Sequence, residues 1–391
     1  MSLSLEWKDR LSAFGYELMK HCYRPSGAVE LEGAVTTSQL TPGEATELDF
    51  EPMPPGTEWG GKWEYGWFRG SFTLPEEIEG QRVVFALDIG AESIIFINGR
   101  AAGAKDRHHS FITLAQDGLP GAEYHVLAEG YAVYQLWLDV ETLMQLREKL
   151  DPESLRLAEI DEALRTFTYV VDFELSLEAM LETVREGREV LEPVLACVNG
   201  STTPEMFGFG HSHIDVAWLW PLAETERKMG RTMSTQLALM EDYPEYKFLQ
   251  SQPHLYRMLK RRYPELYQRV KDAIAKGQFI PEGATWVEPD TNISGGESLI
   301  RQFVHGKRFY KEELGVECEM LWLPDVFGYS GALPQIMRGC GVKYFSTQKI
   351  FWAYHGGAPF PYNTFIWEGI AGSEVFVHLH NDYNARVDPE N

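Results

Sequence analysis

The sequence predicts a multidomain protein in which an antiparallel β-sandwich precedes an α/β domain. Three observations lead to this fold class. The chain has 391 residues, more than one typical domain of about 100–200 residues. Its first part contains short segments whose apolar residues alternate with a period of two. From about residue 204, apolar strand-like segments alternate with segments of helical spacing, which is typical of α/β folds.

The N-terminal part is predicted to contain a helix and a sandwich. Residues 1–29 are expected to be a helical segment, because apolar residues recur there at helical spacing. Residues 30–148 are expected to form a jelly-roll-like β-sandwich. Apolar residues alternate over residues 83–97, and Asn98-Gly99 is a strong hairpin-turn signal because both residues tolerate positive φ.

A helical linker is predicted over residues 149–203. Asp151-Pro152 can begin a helix, since proline is tolerated in a first helical turn, and a second helix is expected over residues 175–191. The composition becomes loop-like around residues 198–205, where we place the next boundary.

Residues 204–391 are predicted to form the α/β domain. The expected strands are 206–210, 247–250, 279–282, 320–323, 344–347 and 375–379. The expected helices are 222–240, 254–276, 296–314 and 334–339. Such a pattern favours a parallel sheet or a barrel, with the chemistry at the carboxyl ends of the strands. A closed barrel would need more chain, so we expect a domain truncated at residue 391.

Composition excludes some functions. The formal net charge of -23 disfavours nucleic acid and anionic membranes as partners, because phosphate contacts need basic residues. No apolar run approaches the ~18 residues of a membrane span, and the start does not resemble a signal peptide. The four cysteines form no CxxC pair and are interpreted as reduced thiols. A cytoplasmic location is predicted.

The motif HSHID, residues 211–215, is the first candidate site. If the strand continues through it, His211, His213 and Asp215 project to one side. Imidazole and carboxylate together suit Zn²⁺, with Co²⁺ or Mn²⁺ as alternatives. The competing interpretation is a strand-end loop in which these groups satisfy the backbone. Trp218 offers a flat face for a sugar ring, whereas Trp220 is expected to pack in the core.

Two further candidates also follow predicted strands. Asp325 ends an apolar strand before glycines at 328 and 331, so it could be a nucleophile, a metal ligand or a turn residue. The segment 280–298 contains Glu282, Glu288, Trp286 and Asp290, which could recognise sugar hydroxyls or form a solvated loop.

The last candidate repeats the alternation of the first. His378, His380 and Asp382 follow the strand over residues 375–379, and Asp382 could be an acid catalyst or part of a turn. The sequence contains no dinucleotide fingerprint, Walker A motif or G-x-S-x-G elbow, which argues against phosphoryl transfer and serine hydrolysis.

Four blocks occur in a characteristic order: HSHIDVAWLWP, ATWVEPDTNISGGESLIRQ, LWLPDVFGYSGALPQIMRGCGV and YFSTQKIFW. Over residues 205–384 the chain resembles the retaining α-mannosidases of glycoside hydrolase family 38. The earlier segments WFRGSFTLPEE and FINGRAAG resemble the cytosolic and bacterial branch of that family. The resemblance implies a seven-stranded α/β barrel with one divalent metal, usually Zn²⁺.

The resemblance also implies roles for individual residues. His213, Asp215 and Asp325 would be metal ligands, with Asp325 also the nucleophile. His211 would be a supporting neighbour of the metal sphere. Trp218 would form the floor under the sugar, and Lys349 and Asp290 would contact substrate. The acid/base carboxylate falls on Asp382, with Asp388 as the alternative. The family has a further histidine ligand downstream, in a part of the catalytic region beyond residue 391.

The implied reaction is hydrolysis of terminal α-linked mannose from oligosaccharides through a covalent glycosyl-enzyme on Asp325. Two alternatives stay open at this point. A metal-dependent carbohydrate deacetylase or amidohydrolase would use the same ligands to activate water, and a non-catalytic carbohydrate-binding fragment would bind sugar without turnover. The expected partners are the oligosaccharide, further copies in a homo-oligomer and C-terminal domains of the same protein.

Overall fold

The computed structural model describes residues 23, 25–38, 40–60, 64–89, 91–105, 110–124, 132–172, 175, 177–198, 207–351 and 360–380. The predicted helical segment near the N-terminus falls almost entirely outside these residues. Asp382 and its alternative Asp388 also lie outside them.

The N-terminal β domain consists of antiparallel strand pairs in its described part, with one isolated parallel bridge between Glu79 and Gly118. Its strands are β1 Glu32–Thr36, β2 Glu51–Pro52, β3 Tyr65–Arg69, β4 Phe72–Thr73, β5 Val83–Ala86, β6 Ser93–Ile97, β7 Arg100–Lys105, β8 Phe111–Ala115 and β9 Glu123–Tyr124. They pair in the orders β2-β1-β3, β4-β9, β5-β8 and β6-β7, all antiparallel. A short helix, α1, covers Pro42–Ala45.

The predicted hairpin turn is confirmed. Asn98 and Gly99 have φ of 50° and 80°, and they connect Ile97 to its partner Arg100 across the β6–β7 hairpin. Positive φ at both central residues is the geometry that Asn-Gly adopts most readily. The alternating residues of this region are buried as expected: Phe85, Ile95 and Ile97 form a core cluster inside the sandwich.

A helical layer follows the β domain. It consists of α2 Ala132–Lys149, α3 Leu155–Val170 and α4 Leu177–Leu195. The sandwich was predicted to extend to residue 148, but residues 132–149 are helical. Val140 and Leu143 of α2 pack with residues of α3 and α4 in one apolar cluster. The apolar residues of this segment therefore face helices rather than a sheet.

The α/β domain contains the remaining elements. Its strands are β10 Gly210–His211, β11 Phe248–Gln250, β12 Phe279–Pro281, β13 Met320–Leu323, β14 Tyr344–Thr347, β15 Thr364–Glu368 and β16 Glu374–Leu379. Its helices are α5 Leu222–Asp242, α6 Pro253–Arg262, α7 Pro264–Ala275, α8 Gly296–Leu314 and α9 Leu333–Gly339.

The strands pair in two groups, β10-β11-β12 and β13-β14-β16-β15. A parallel bridge from Gly283 to Leu321 connects the two groups, so the carboxyl ends of six parallel strands meet at one edge. Among the described strands of this domain, β15 alone runs antiparallel, at the outer edge beside β16. The period-two pattern of this edge strand was not recognised in the sequence. The described strands form an open sheet, and closure into a barrel stays a prediction.

One predicted helix is interrupted. The range 254–276 is divided into α6 and α7 at Tyr263, whose φ of -131° and ψ of 66° leave the helical region. Pro264 explains the break, because it lacks an N–H and disfavours helical conformation in the preceding residue.

The main core lies between the sheet and its helices. It combines apolar strand residues such as Phe248 and Leu321 with one face of α5. The β domain joins this core through the β6–β7 hairpin, where Ala101 is buried and Phe96 stacks on Tyr263. In the described part of the chain, no helix is both long enough and apolar enough to cross a membrane.

Candidate metal and catalytic site

Polar residues collect where the parallel strands end. The first, second and third strands of the sheet are followed by loops that contain three of the non-glycine residues with positive φ: Ala217, Gln252 and Ala284. Such conformations are costly and often persist at functional sites because the surroundings hold them. These strained loops therefore indicate a functional site at the carboxyl edge of the sheet.

Three side chains converge at this edge. His213 and Asp215 follow β10, and Asp325 follows β13. Nε2 of His213 lies 3.4 Å from Oδ1 of Asp215 and 3.4 Å from Oδ2 of Asp325. One ligand atom from each residue lies within 4.8 Å of the others. The sequence predicted these three residues as a metal-ligand set, and the fold brings them together.

The opposite nitrogen of His213 contacts a carboxylate. Nδ1 lies 3.0 Å from Oε2 of Glu288, whose side chain is only 4% exposed. The other oxygen of Glu288 accepts hydrogen bonds from Ser251 Oγ at 3.2 Å and from Gln252 Nε2 at 3.4 Å. A carboxylate on the outer nitrogen of a histidine fixes the ring and makes the inner nitrogen a better metal ligand.

These acidic neighbours change the titration of His213. Burial disfavours its charged form, but the contact with Glu288 and the charges of Glu288, Asp215 and Asp325 outweigh burial and raise the pKa of His213 to about 9. In the metal-free protein His213 is therefore protonated at neutral pH, and its positive charge lies among the carboxylates of Glu288, Asp215 and Asp325.

His211 has a different environment from His213. Its Nδ1 donates to the carbonyl of Leu249 at 3.0 Å, and its Nε2 accepts from Nε1 of Trp322 at 3.0 Å. Burial lowers the pKa of His211 to about 4, which keeps the ring neutral. Because both nitrogens are engaged, His211 supports the strand end, and its role as a neighbour of the metal sphere stays a prediction.

Asp325 also pairs with a buried cation. Nζ of Lys349 contacts Oδ1 of Asp325, and the lysine side chain is 4% exposed. The same Nζ lies 4.6 Å from the centroid of the Phe327 ring. The sequence predicted that Lys349 contacts substrate. The structure places its ammonium against the predicted nucleophile, where it can orient the carboxylate.

The loop after Asp215 is organised by one threonine. Oγ1 of the fully buried Thr225 donates to the carbonyl of Asp215 at 3.1 Å and accepts from Nε1 of Trp220 at 3.1 Å and from the backbone of Ala217 at 3.0 Å. The hydrogen bond to Thr225 fixes the indole of Trp220, whereas Trp218 is 65% exposed. An exposed, edge-supported indole suits the predicted role of Trp218 as a sugar platform.

Asp290 lies in the exposed part of the loop that follows β12. Its Oδ1 accepts hydrogen bonds from the backbone N–H groups of Asn292 at 2.8 Å and Ile293 at 2.9 Å. The residue is exposed, and these bonds form a turn, whereas the alternative named from the sequence for this segment was a solvated loop. Glu282 likewise accepts from backbone N–H groups of Gly283 and Met320.

The fourth motif is described only as far as His380. This ring stacks on Trp322, with centroids 5.2 Å apart and planes at 7°. His378 is exposed and contacts Oγ1 of Thr364 instead. Trp322 therefore contacts both His211 and His380, and it connects the first and last parallel strands of the sheet at the edge that carries the candidate ligands.

Ser251, Gln252 and Thr225 were not assigned roles from the sequence, and Glu288 was named there only as a possible contact for sugar hydroxyls. Glu288 carried a usable signal, because a histidine ligand generally needs a carboxylate or carbonyl partner on its other nitrogen. No feature of the amino-acid sequence identifies Ser251, Gln252 or Thr225 as site residues.

The donor set fits a divalent metal. One imidazole nitrogen and two carboxylate oxygens converge, and a buried carboxylate supports the imidazole from behind. Nitrogen and oxygen donors in this combination suit Zn²⁺, and also Co²⁺ or Mn²⁺.

Two parts of the chain match models of known protein families. Residues 203–391 match the model described as glycosyl hydrolases family 38 N-terminal domain, and residues 28–129 match α-mannosidase, jelly roll domain. The chain belongs to glycoside hydrolase family 38, in agreement with the resemblance noted in its sequence.

Individual relatives match different shares of the chain. The chain is 34% identical to α-mannosidase 2C1 of Homo sapiens over 88% of its own length, and 31% identical to α-mannosidase G of Dictyostelium discoideum over 93%. It is 46% identical to an α-mannosidase of Saccharomyces cerevisiae over 46% of its length. The chain spans 37% of the human and Dictyostelium relatives and 17% of the yeast relative.

Proposed function

We propose that this chain supplies the nucleophile and metal ligands of a retaining α-mannosidase that removes terminal α-linked mannose from oligosaccharides. The observation that carries the proposal is the environment of Asp325. Its carboxylate lies at the carboxyl edge of the sheet, against Lys349 and within reach of His213. Membership of family 38 supports a glycoside hydrolase.

Asp325 is the proposed nucleophile. It attacks the anomeric carbon as the bond to the leaving oxygen breaks, and a covalent glycosyl-enzyme forms. Water then displaces Asp325 and restores the free carboxylate. Lys349 orients the carboxylate in the metal-free protein, and burial of this ion pair restricts the rotamers that Asp325 can adopt.

His213, Asp215 and Asp325 would hold the metal, with Zn²⁺ expected and Co²⁺ or Mn²⁺ as alternatives. When bound, the metal supplies a positive charge that can hold sugar hydroxyls and organise the ring. Glu288 and His211 maintain the strand-end geometry on which these three ligands depend.

The sugar rests on Trp218 in this proposal. Asp382 is the proposed acid/base, which protonates the leaving oxygen and later deprotonates the water. Retention requires the two carboxyl groups to lie about 5–5.5 Å apart. A substrate contact by Asp290 and closure of the sheet into a seven-stranded barrel, with a further histidine ligand from additional chain, also remain parts of the proposal.

Properties of the whole protein are proposed on the same basis. We expect a mannose-containing oligosaccharide as substrate, a homo-oligomer, C-terminal domains in the same polypeptide and a cytoplasmic location. Nucleic acid and membranes are not expected as partners, since the net charge of -23 repels both phosphate and anionic lipid.

Hydrolysis of p-nitrophenyl α-mannoside tests the proposal. A chelator should abolish turnover, and Zn²⁺, Co²⁺ or Mn²⁺ should restore it. Asp325→Ala should lower turnover at least about a thousandfold. Asp117→Asn, an exposed position of the β domain, is the matched control and should have no effect. Normal turnover by Asp325→Ala, or turnover that chelation does not change, would contradict the mechanism.

A further inference from the structure

The loop after β12 contacts two parts of the candidate site. Glu288 of this loop lies 3.0 Å from Nδ1 of His213 through its carboxylate. Further along the loop, Thr291 reaches the turn that follows β13 and carries Asp325. A single segment, residues 288–292, thus connects a candidate metal ligand with the proposed nucleophile. We call this segment the clamp loop.

The clamp loop holds the backbone directly after the nucleophile. Thr291 is 1% exposed, and its Oγ1 donates a hydrogen bond to the carbonyl of Gly328 at 2.8 Å. Nδ2 of Asn292 donates to the carbonyl of Phe327 at 3.3 Å. Two consecutive carbonyls of the turn therefore accept hydrogen bonds from consecutive side chains of the clamp loop. The loss of a buried donor such as Thr291 is costly, because its acceptor is left without that partner.

The turn and the clamp loop approach each other closely at Gly328. This residue has φ of 121°, a conformation that residues with a side chain rarely adopt. A Cβ atom at this position would lie only 2.3 Å from Nδ2 of Asn292. The absence of a side chain at Gly328 therefore lets the carbonyls of the turn come within hydrogen-bonding distance of the clamp loop.

Hydroxyl groups also hold the earlier part of the turn. Oγ1 of Thr347, at the end of β14, donates to the carbonyl of Leu323 at 2.7 Å and contacts the hydroxyl of Tyr329. The same hydroxyl of Tyr329 lies 2.9 Å from the carbonyl oxygen of Val326. Asp325 therefore lies in a turn whose carbonyls are held both by these hydroxyls and by the clamp loop.

Precise placement of Asp325 matters for both of its proposed roles. Its carboxylate has to lie near Nε2 of His213 as a metal ligand, and it has to approach the anomeric carbon as a nucleophile. Reacting atoms need a separation of about 3–3.5 Å, and a misplacement of about 1 Å can lower a rate about a hundredfold. Side chains that orient metal ligands likewise change metal affinity when they are removed.

We propose that Thr291 is a positioning residue for the nucleophile. Its hydroxyl fixes the turn at Gly328, and the clamp loop thereby sets Asp325 relative to the metal ligand His213. The inference rests on the proposed function, since it takes Asp325 to be both nucleophile and ligand. Thr291 acts through Asp325, so the loss of its hydroxyl should change both the rate of attack on the sugar and the affinity for metal.

Thr291→Val removes the hydroxyl and keeps the shape of the side chain. At saturating Zn²⁺, it should lower the maximal rate of inactivation by a 5-fluoro mannosyl fluoride about tenfold, with the half-saturating reagent concentration within twofold. Competition with a chromophoric chelator should show about tenfold weaker metal binding. Thr291→Ser keeps the hydroxyl and should restore both values to within threefold of the wild type.

Thr168→Val is the matched control for the loss of a buried hydroxyl. Thr168 is 2% exposed, and its Oγ1 donates to the carbonyl of Arg165 at 2.9 Å in α3, within the helical layer. This variant should change neither the rate of inactivation nor the metal affinity. Asn292→Ala gives a second reading should Thr291→Val misfold. It removes the contact with Phe327 and should lower the inactivation rate about fivefold.

Wild-type values, within twofold, in a folded Thr291→Val would overturn the proposal, as would the same result in Asn292→Ala where the valine variant misfolds. Equal losses in Thr168→Val, or a serine variant as impaired as the valine variant, would also overturn it. A wild type that binds metal but forms no adduct would contradict the mannosidase alone, and the metal affinity of Thr291→Val would still decide the positioning role. A wild type that binds no metal would contradict both proposals.

Discussion

Nδ1 of His213 lies 3.0 Å from Oε2 of Glu288, and this buried contact joins the loop after β12 to the candidate ligands after β10 and β13. Ser251 and Gln252, which follow β11, hold the other oxygen of Glu288. Loops from neighbouring strands thus fix the orientation of a single imidazole. The contact explains how side chains far apart in sequence can form a metal site of defined geometry.

Glu288→Gln should weaken metal binding about 10–100-fold, because the amide is a weaker partner for the outer nitrogen of His213. Competition with a chromophoric chelator measures the affinity. Glu297→Gln, an exposed position in the first turn of α8, is the control and should leave the affinity unchanged. Unchanged affinity in the Glu288 variant would show that this carboxylate does not support a metal ligand.

Metal affinity should rise with pH. The pKa of His213 is about 9 in the metal-free protein, so at neutral pH a metal must displace the proton on Nε2, the nitrogen that faces Asp215 and Asp325. Affinity should therefore increase about tenfold per pH unit from pH 6 to pH 8 and level off above the pKa. Calorimetry in buffers of different ionisation enthalpy should show release of about one proton at pH 7. A pH-independent affinity over this range would be inconsistent with His213 as a ligand.

Lys349→Met should destabilise the metal-free protein. The ammonium is almost fully buried against Asp325, and removing one partner of a buried ion pair costs about 3 kcal/mol or more. Urea unfolding in the presence of chelator measures the loss. Lys343→Met breaks the exposed pair with Glu319 and should cost no more than about 1 kcal/mol. Equal costs for the two variants would indicate that Lys349 has no special role at the site.

Thr225→Val should loosen the loop that carries Trp218. The buried hydroxyl contacts the backbone of Asp215 and Ala217 and the indole of Trp220, so its removal leaves polar groups without this partner. We expect a loss of about 1–3 kcal/mol in the free energy of unfolding and a weaker affinity for substrate. Thr73→Val provides the comparison on an exposed strand. A Thr225 variant with wild-type stability would exclude the hydroxyl as the organiser of this loop.

The sequence located those candidate site residues that directly follow an apolar strand. His213, Asp215 and Asp325 each come within a few residues of an apolar strand, and parallel strands bring such positions to one edge. The sequence could not distinguish Glu288 from Asp290. These residues are two positions apart, yet Glu288 turns inward to His213 and Asp290 closes a turn at the surface. The conformation of the loop decides between them, and this conformation depends on contacts with Gln252, which follows the neighbouring strand β11.

The limits of the fold prediction have similar causes. The segment of α2 was placed in the predicted sandwich, but it is helical, and its residues Val140 and Leu143 pack against α3 and α4. The break at Tyr263 was readable from Pro264, whereas the antiparallel course of β15 depends on its pairing with β16. Local sequence patterns thus located most helices and strands, whereas long-range contacts determined how these elements pack and pair.

Covalent trapping tests the central claim most directly. A 5-fluoro mannosyl fluoride should inactivate the metal-loaded protein with time, and peptide mass spectrometry should find the sugar on Asp325. A deacetylase or a carbohydrate-binding protein would form no such adduct. Labelling of another carboxylate, or turnover of the reagent with no adduct on Asp325, would contradict the assignment of Asp325 as the nucleophile.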